Sequence, residues 1–330
     1  MSAATNRRQV GFGIIGLGRH GERYANHTLA GDAPDARLVA VQRRDAGQGR
    51  AFAEENGIRF HADAQTLLAD PDVDAVIITT PTKQHLPMAE LAVAAGKHIL
   101  CEKPMARSVA ECRAMRDAAR NAGLQATIGQ TMRFAPILGV LREKLPEVGD
   151  LYALHACMRQ ERSPTAWHMD PDVAGGGVVV EVGVHLFDAV RYLTGRNFTR
   201  VSGEMRDTYE AGVETYATGI GWLDDGATSS FEIAKTVNGR LSRFEAVGSE
   251  GALVANLATN TLERIHERDV IPIDVPDNIP TIPILVQGFC EAILDGSPVP
   301  VTADDGLHTL AVCEAFYASV QSGVATDVRT

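Results

Sequence analysis

The first third of the chain alternates short apolar runs with longer segments whose apolar residues recur at helical spacing. The apolar runs predict strands at residues 12–15, 38–41, 73–79, 98–101 and 125–128. The segments between them predict helices near residues 21–29, 46–56, 85–95 and 109–122. Strands separated by helices of this length indicate right-handed crossovers and a parallel sheet. The pattern therefore predicts a doubly wound α/β domain over residues 1–130.

Beyond residue 131 the periodicity changes. A predicted helix at 136–144 precedes strand-like segments at 152–159, 201–206, 215–223 and 227–236. Asp225 and Gly226, between the last two, have the chemistry of a tight hairpin turn, so these strands are expected to be antiparallel. Two further helices are predicted at 184–194 and 306–322. Residues 131–330 are therefore expected to form a second, α+β domain.

A glycine-rich loop lies between the first predicted strand and the first predicted helix. Its members are Gly16, Leu17, Gly18, Arg19, His20 and Gly21. In such a loop the first glycine permits a tight turn, the second admits a pyrophosphate and the third allows close packing of helix on strand. An incidental glycine turn is the alternative, but the flanking strand and helix favour dinucleotide binding.

Coenzyme choice depends on the end of the second strand, where an acidic residue would hold the ribose of NAD. About 22 residues beyond Gly21 the chain has Arg43 and Arg44 instead. Two guanidinium groups suit a 2′-phosphate, so NADP is the expected coenzyme, with NAD as the alternative. The other interpretation of these arginines is that they are solvated charges at the start of a helix.

A lysine follows the fourth predicted strand, residues 98–101, in the sequence Glu102, Lys103, Pro104. The carboxyl end of a strand in an open α/β sheet faces the crevice where ligands bind. A surface lysine is usually only solvated, but this placement beside a coenzyme loop makes Lys103 a candidate catalytic residue.

Composition limits the partners. The chain has 330 residues, with 31 Lys and Arg against 42 Asp and Glu, a formal charge of −11. This acidic balance argues against nucleic acid or an anionic membrane as a partner. No apolar run approaches the roughly 18 residues of a membrane helix, and no apolar signal segment follows the N-terminus. The five cysteines are scattered, no metal-ligand spacing is present, and a cytoplasmic protein without a metal is expected.

These motifs, taken in order, resemble the glucose–fructose oxidoreductase / inositol dehydrogenase / rhizopine catabolism (Gfo/Idh/MocA) family. The shared elements are the Gly16 loop, Thr79–Thr80–Pro81–Thr82 with His85, Gly96–Lys97–His98, Glu102–Lys103–Pro104, Arg133–Phe134, Gly175–Gly176–Gly177 and Glu181–Val182–Gly183–Val184–His185 with Asp188. The resemblance covers nearly the whole chain. It implies a Rossmann domain, a second domain built on a large open antiparallel sheet, and hydride transfer between a nicotinamide and a sugar, polyol or related alcohol.

The resemblance also implies residue roles. Lys103 matches the lysine of the family's Glu-Lys-Pro motif, and His185 matches its active-site histidine. Thr80, Pro81, His85 and Glu102 match positions that line the nicotinamide side of the coenzyme. The family most often has aspartate where this chain has Glu181, which keeps the charge but carries it one bond farther.

Several neighbouring residues are weaker candidates. The run from Gly175 to Gly177 would let backbone approach a ligand. Trp167, with His168 and Asp170, could stack on and hydrogen-bond a sugar, or could simply cap the core. Arg133 could bind an anionic substrate group or form a structural salt bridge.

The resemblance leaves two other functions open. Some members of this family cleave glycosidic bonds with a retained NAD, and others resemble nicotinamide-sensing co-repressors; the presence of both Lys103 and His185 argues against a regulator. A homodimer or homotetramer is also expected, since a broad sheet has one face to cover, with residues 216–222 and 231–234 as candidate surfaces.

Overall fold

The computed structural model describes residues 8–162, 166–236 and 238–330. The chain divides into two units. Unit one comprises the described residues up to Met105, with Ala110–Gly129 and Pro280–Asp304; unit two comprises those of Ala106–Val109, Gln130–Ile279 and Asp305–Thr330. The observed division differs from the predicted domain boundary at residue 130 mainly in one segment, Pro280–Asp304, which belongs to unit one.

Unit one is built on a parallel sheet of six strands. They are β1 (Val10–Ile15), β2 (Ala36–Gln42), β3 (Arg59–His61), β4 (Ala75–Ile78), β5 (His98–Cys101) and β6 (Ala126–Ile128). Their order, β3-β2-β1-β4-β5-β6, with every pair parallel, confirms the predicted doubly wound sheet. Five helices accompany these strands: α1 (Arg19–Leu29), α2 (Ala46–Glu55), α3 (Ala64–Leu68), α4 (His85–Ala94) and α5 (Val109–Asn121). Sequence analysis did not predict β3 or α3, which are three and five residues long.

The central strands form because they are apolar throughout. All six residues of β1 and all four of β4 are buried, as expected of a sheet covered on both faces. The crossover helices place the carboxyl ends of these strands at one edge of the sheet, where the glycine loop and Lys103 follow.

The segment that returns to unit one carries the helix α9 (Ile282–Asp295). Phe289 of α9 packs against Phe12 of β1, with ring centroids 6.2 Å apart. The side chain of Gln287 donates to Asp35 at 2.9 Å, and the hydroxyl of Thr127 donates to the carbonyl of Val301 at 2.9 Å. These long-range contacts, rather than any local pattern, assign the segment to unit one.

Unit two is built on a sheet of nine strands. They are β7 (Leu151–Arg159), β8 (Phe198–Arg206), β9 (Tyr216–Leu223), β10 (Thr228–Ala234), β11 (Leu241–Gly248), β12 (Gly251–Asn256), β13 (Thr261–His266), β14 (Asp269–Ile273) and β15 (Thr326–Asp327). Their order is β14-β13-β12-β11-β7-β10-β9-β8-β15. The hairpin of β9 and β10 is confirmed, with Gly226 at a φ of +93° in its turn. The expectation of a wholly antiparallel set is wrong for one pair, because β10 runs parallel to β7.

Helices cover one face of this sheet. They are α6 (Pro136–Lys144), α8 (Val184–Thr194) and α10 (Ala303–Ser322), the last beginning in unit one; the short helix α7 (Pro171–Ala174) precedes α8 in the chain. Four shorter turns of 3-10 helix lie at Thr82–Gln84, Thr131–Phe134, Leu145–Val148 and Ala166–Met169. Phe187 of α8 packs edge-on against Phe198 and Phe231 at 5.6 and 5.1 Å, and Phe316 of α10 joins Phe231 at 5.6 Å.

One helical stretch, Pro171–Thr194, is long and apolar enough to cross a membrane by length and composition alone. This departs from the expectation that no segment approaches that length. Of its most apolar window, 78% is buried inside the protein, as in the core helix of a folded domain.

Candidate active site

The glycine loop has the geometry that its sequence predicts. Gly16 has a φ of +96°, and a Cβ there would lie 2.9 Å from the amide nitrogen of Thr80. A Cβ on Gly21 would lie 2.7 Å from the carbonyl oxygen of Gly16. Both positions therefore require glycine, one for the turn and one for the packing of α1 on the sheet.

The same loop fits a dinucleotide. At Gly18, the N-cap of α1, no side chain caps the helix, and a Cβ would meet nothing within 4 Å. The hydroxyl of Thr80 is buried and has no hydrogen-bond partner among the described residues. Open space before uncapped helical amides, beside an unpaired hydroxyl, suits a pyrophosphate. Arg19 is exposed at this helix start.

Leu17 and His20, both predicted with the loop, have other contacts. The side chain of Leu17 is fully buried, and its amide donates to the carbonyl of Gln42 at 2.9 Å. Leu17 therefore holds the loop against β2. His20 instead reaches the strand that precedes Lys103, as its Nε2 lies 2.9 Å from Oε1 of Glu102.

Glu102 is the central charge among these residues of unit one. It is 6% exposed, and its Oε1 also accepts the hydroxyl of Tyr24 at 2.6 Å. Burial by itself would raise the pKa of Glu102, but His20, Lys103 and Tyr24 together outweigh it and lower that pKa to about 2. Glu102 is therefore an ionised carboxylate directly before Lys103, whose own amide donates to Oε2 at 3.0 Å.

His85 joins the two chain segments that flank this carboxylate. Its Nδ1 lies 2.9 Å from the carbonyl oxygen of Pro104, and its Nε2 lies 2.8 Å from that of Thr80. Burial lowers the pKa of His85, against the opposing effect of these carbonyl groups. His85 thereby holds the loop carrying Thr80 and Pro81 next to the turn carrying Lys103.

The two arginines after β2, Arg43 and Arg44, differ in their contacts and exposure. The Nη1 of Arg43 forms an ion pair with Oε1 of Glu22 on α1 at 2.6 Å, and its Nη2 donates to Gln48. Arg44 is exposed. Asp45 caps α2 by accepting the amide of Gln48 at 3.0 Å. Arg43 is therefore already held by two side chains, and Arg44 is the more accessible guanidinium.

In unit two the candidate catalytic residues Glu181 and His185 lie where a single π-helical turn, Val179–Gly183, leads into α8. Glu181 belongs to this turn, and His185, half-buried, is the second residue of α8. A buried carboxylate, Glu214, fixes the start of the turn: its Oε1 accepts the amides of Gly177 and Val179 at 3.0 and 3.1 Å. Burial raises the pKa of Glu214, although these amides and the hydroxyl of Tyr317 oppose the rise.

Two of the three glycines before this turn, Gly176 and Gly177, are packed closely within unit two. A Cβ on Gly177 would lie 2.2 Å from the carbonyl oxygen of Glu214, and one on Gly176 would lie 2.3 Å from the hydroxyl of Tyr317. These close approaches explain why both positions require glycine, and the approach of this backbone to a substrate stays a prediction.

Glu181 is the meeting point of a charged cluster. Its Oε1 contacts the ammonium of Lys235 and lies 2.8 Å from Nδ1 of His168. Trp167 packs edge-on against His168, with ring centroids 4.0 Å apart. Two of the weaker sequence candidates, Trp167 and His168, are thus brought to Glu181, whereas Asp170 caps α7 by accepting the amide of Asp172 at 3.0 Å.

Arg133 is a structural residue. Its guanidinium forms a two-point contact with buried Asp188, with Nε to Oδ2 at 3.0 Å, and its Nη1 lies 3.4 Å from Asp305. Of its two predicted roles the salt bridge is the one observed. Among the residues that the structure describes, no group of three His, Cys, Asp or Glu side chains is arranged to hold a metal ion.

Sequence reasoning missed Tyr24, Glu214 and Lys235. Tyr24 and Glu214 belong to no motif and became recognisable only through their contacts with Glu102 and the glycine run. Lys235 had one available signal, a lysine that breaks the apolar pattern at the end of β10.

Two family models match the chain. One, described as an oxidoreductase family with an NAD-binding Rossmann fold (GFO_IDH_MocA), matches residues 10–130. The other, the GFO/IDH/MocA C-terminal domain, matches residues 146–254.

Individual relatives match over nearly their full length. The chain is 32% identical to the rhizopine catabolism protein MocA of Rhizobium meliloti, over 92% of this chain and 93% of that protein. It is 29% identical to scyllo-inositol 2-dehydrogenase (NAD(+)) of Bacillus subtilis (strain 168), over 97% of each. An aldose-aldose oxidoreductase from Caulobacter crescentus, crystallised with glycerol, superposes with a TM-score of 0.89 at 28% identity, over 97% of this chain and 100% of that one.

Proposed function

The chain belongs to the GFO/IDH/MocA family of oxidoreductases, and we propose that it is a dehydrogenase that prefers NADP. It is an oxidoreductase acting on CH–OH groups with a nicotinamide coenzyme. The proposed reaction moves hydride between the nicotinamide and a sugar, an inositol-like polyol or a related alcohol or carbonyl compound.

One contact supports this proposal most directly. Within unit one, His20 of the glycine loop reaches Glu102, the residue directly before Lys103, at 2.9 Å. The loop that suits a pyrophosphate and the turn that carries the candidate base are thereby held together. A lysine beside a bound coenzyme is the arrangement that alcohol oxidation needs.

The proposed roles follow from the chemistry. When bound, the coenzyme accepts or gives up a hydride at its nicotinamide ring. Lys103, as the neutral amine, takes the hydroxyl proton as an alcohol is oxidised to a carbonyl compound, and as the ammonium it returns that proton in the reverse direction. His185 assists by hydrogen bonding to the reacting oxygen. Glu181, whose carboxylate already contacts two nitrogen groups, orients substrate hydroxyl groups.

The preference for NADP is proposed from Arg43 and Arg44. Arg44 is exposed after β2, and a charged hydrogen bond to a phosphate contributes about 1.5–3 kcal/mol. The guanidinium of Arg43 already contacts Glu22 and Gln48. It would contribute a further hydrogen bond to the phosphate only in addition to these two contacts.

We also propose a homodimer or homotetramer that uses the face of the nine-stranded sheet opposite its helices. Ile220 of β9 is an exposed large apolar residue of this face, since the preceding residue, Gly219, packs against the ring of Phe231 on the helix-covered face. Light scattering is expected to give at least twice the chain mass of 35.3 kDa at micromolar concentration. A monomer mass across that range would contradict the assembly.

The function is tested with a panel of polyols and aldoses, each offered with NADP and with NAD. We expect net nicotinamide reduction with at least one substrate and a higher kcat/KM with NADP. Turnover of a glycoside without net absorbance change would instead indicate the glycosidase, and coenzyme binding without turnover of any substrate would indicate a regulator.

A further inference from the structure

Lys235 is a buried ammonium in unit two that no motif predicted. The residue is 8% exposed, and a lysine is rarely so buried unless it is paired. Among the described residues, Glu181 is the carboxylate that its ammonium contacts. Glu181 itself is partly buried, with 18% of its side chain exposed. Each charge therefore offsets the cost of burying the other.

The backbone at Lys235 is fixed on both sides. Its amide donates to the carbonyl of Thr215 at 2.8 Å, and its own carbonyl accepts the hydroxyl of Tyr209 at 3.3 Å. Lys235 directly follows β10, a strand paired along its length with β9. The Lys235 side chain therefore reaches Glu181 from a backbone position that hydrogen bonds hold at the end of β10.

Two nitrogen groups contact the carboxylate of Glu181. The Lys235 ammonium and Nδ1 of His168 both meet the same oxygen, Oε1. A cation held against a carboxylate limits the orientations that the carboxylate can adopt and favours its ionised form. Such a group acts as a hydrogen-bond acceptor, the partner that a substrate hydroxyl requires.

We propose that Lys235 is a positioning residue of the active site, which orients the ionised carboxylate of Glu181 toward a substrate rich in hydroxyl groups. This inference rests on the proposed function, because it takes Glu181 as a residue that contacts substrate. Lys235 does not itself meet substrate; it acts through Glu181. A purely structural ion pair is the competing interpretation.

A double-mutant cycle distinguishes the two. Lys235→Met, Glu181→Gln and the double variant are compared with the wild type for kcat and KM, using the best substrate of the polyol and aldose panel. We expect Lys235→Met to lower kcat/KM by at least about tenfold, since it leaves the carboxylate without its cation. In the Glu181→Gln background the same change should cost less than about threefold, because residues that act through one another are not additive.

Two further variants provide the controls. Lys235→Arg keeps the charge and should recover kcat/KM to within about threefold of the wild type. Lys144→Met removes a lysine whose ion pair with Glu147, at 3.0 Å, lies at the surface of unit two, and it should leave the kinetics unchanged. The Kd for NADPH, measured by fluorescence, should be unchanged in all of them.

Each outcome has one meaning. Additive losses of kcat/KM, or a Lys235→Met enzyme with a lower Tm and wild-type kinetics, would overturn the positioning role and leave the dehydrogenase intact. A wild type without turnover of any panel substrate would overturn the proposed function, and the positioning role with it. Should Lys235→Met fail to fold, Lys235→Gln, which removes the charge but can still donate a hydrogen bond to Glu181, takes its place in the cycle with the same expected non-additivity.

Discussion

Single residues in this chain often have contacts that their sequence position does not reveal. His20 lies in a phosphate-loop motif, yet its ring contacts Glu102. Arg133 lies in a family motif, yet it pairs with Asp188. A motif identifies the backbone geometry reliably because glycine requirements are local, whereas the partner of a long side chain depends on what the fold brings near it.

A substitution at Glu22 tests whether Arg43 contributes to coenzyme choice, because the carboxylate of Glu22 forms an ion pair with the Arg43 guanidinium. Glu22→Gln releases this guanidinium and removes an anion from the region expected to receive a 2′-phosphate. We expect the affinity for NADPH relative to NADH to rise about threefold to fivefold, in line with a partly exposed ion pair. The measurement is the Kd of each reduced coenzyme by fluorescence.

The matched control for Glu22 is Glu54→Gln, an exposed glutamate on α2. It should leave the ratio of the two affinities unchanged. If Glu22→Gln also leaves that ratio unchanged, Arg43 has no part in coenzyme choice.

At the scale of elements, local patterns predicted much of the fold. Five of the six strands of unit one, the β9–β10 hairpin and helices such as α8 were predicted within a few residues, because each has a strong period or turn signal. The placement of α9 and the parallel pairing of β7 with β10 were not predicted. Both depend on contacts between distant segments, such as Phe289 with Phe12, that no local pattern contains.

Glu214 links elements that the sequence does not connect. Its carboxylate accepts the amides of Gly177 and Val179 and the hydroxyl of Tyr317. Glu214→Ala leaves these donors without their acceptor, and we expect it to lower the free energy of unfolding by about 3 kcal/mol. Glu214→Gln keeps an accepting oxygen and should lower that free energy by less than about 1 kcal/mol. Equal losses in urea unfolding would show that the acceptor is unimportant.

At the scale of the whole molecule, the buried charge of Glu102 makes stability depend on pH. Its pKa falls from an ordinary 4.5 to about 2 in the folded protein, so folding favours the ionised form. The resulting stabilisation, about 3 kcal/mol, is complete above pH 4.5 and is lost as the pH falls toward 2.

Unfolding free energies measured between pH 7 and pH 2 test this dependence. Glu102→Gln should flatten the acid part of the curve relative to the wild type, whereas Glu90→Gln, at an exposed position on α4, should not. A Glu102→Gln curve parallel to that of the wild type would contradict the assignment of this charge.

We propose that Lys103, held beside the coenzyme loop through the contact of Glu102 with His20, is the acid–base group of a dehydrogenase. The most direct measurement is the kcat/KM of Lys103→Met with the best polyol or aldose, alongside its Kd for NADPH. We expect a loss of about a hundredfold to ten-thousandfold in kcat/KM, with a Kd within about threefold of the wild-type value. A variant that binds NADPH normally and retains kcat/KM to within about tenfold would contradict it.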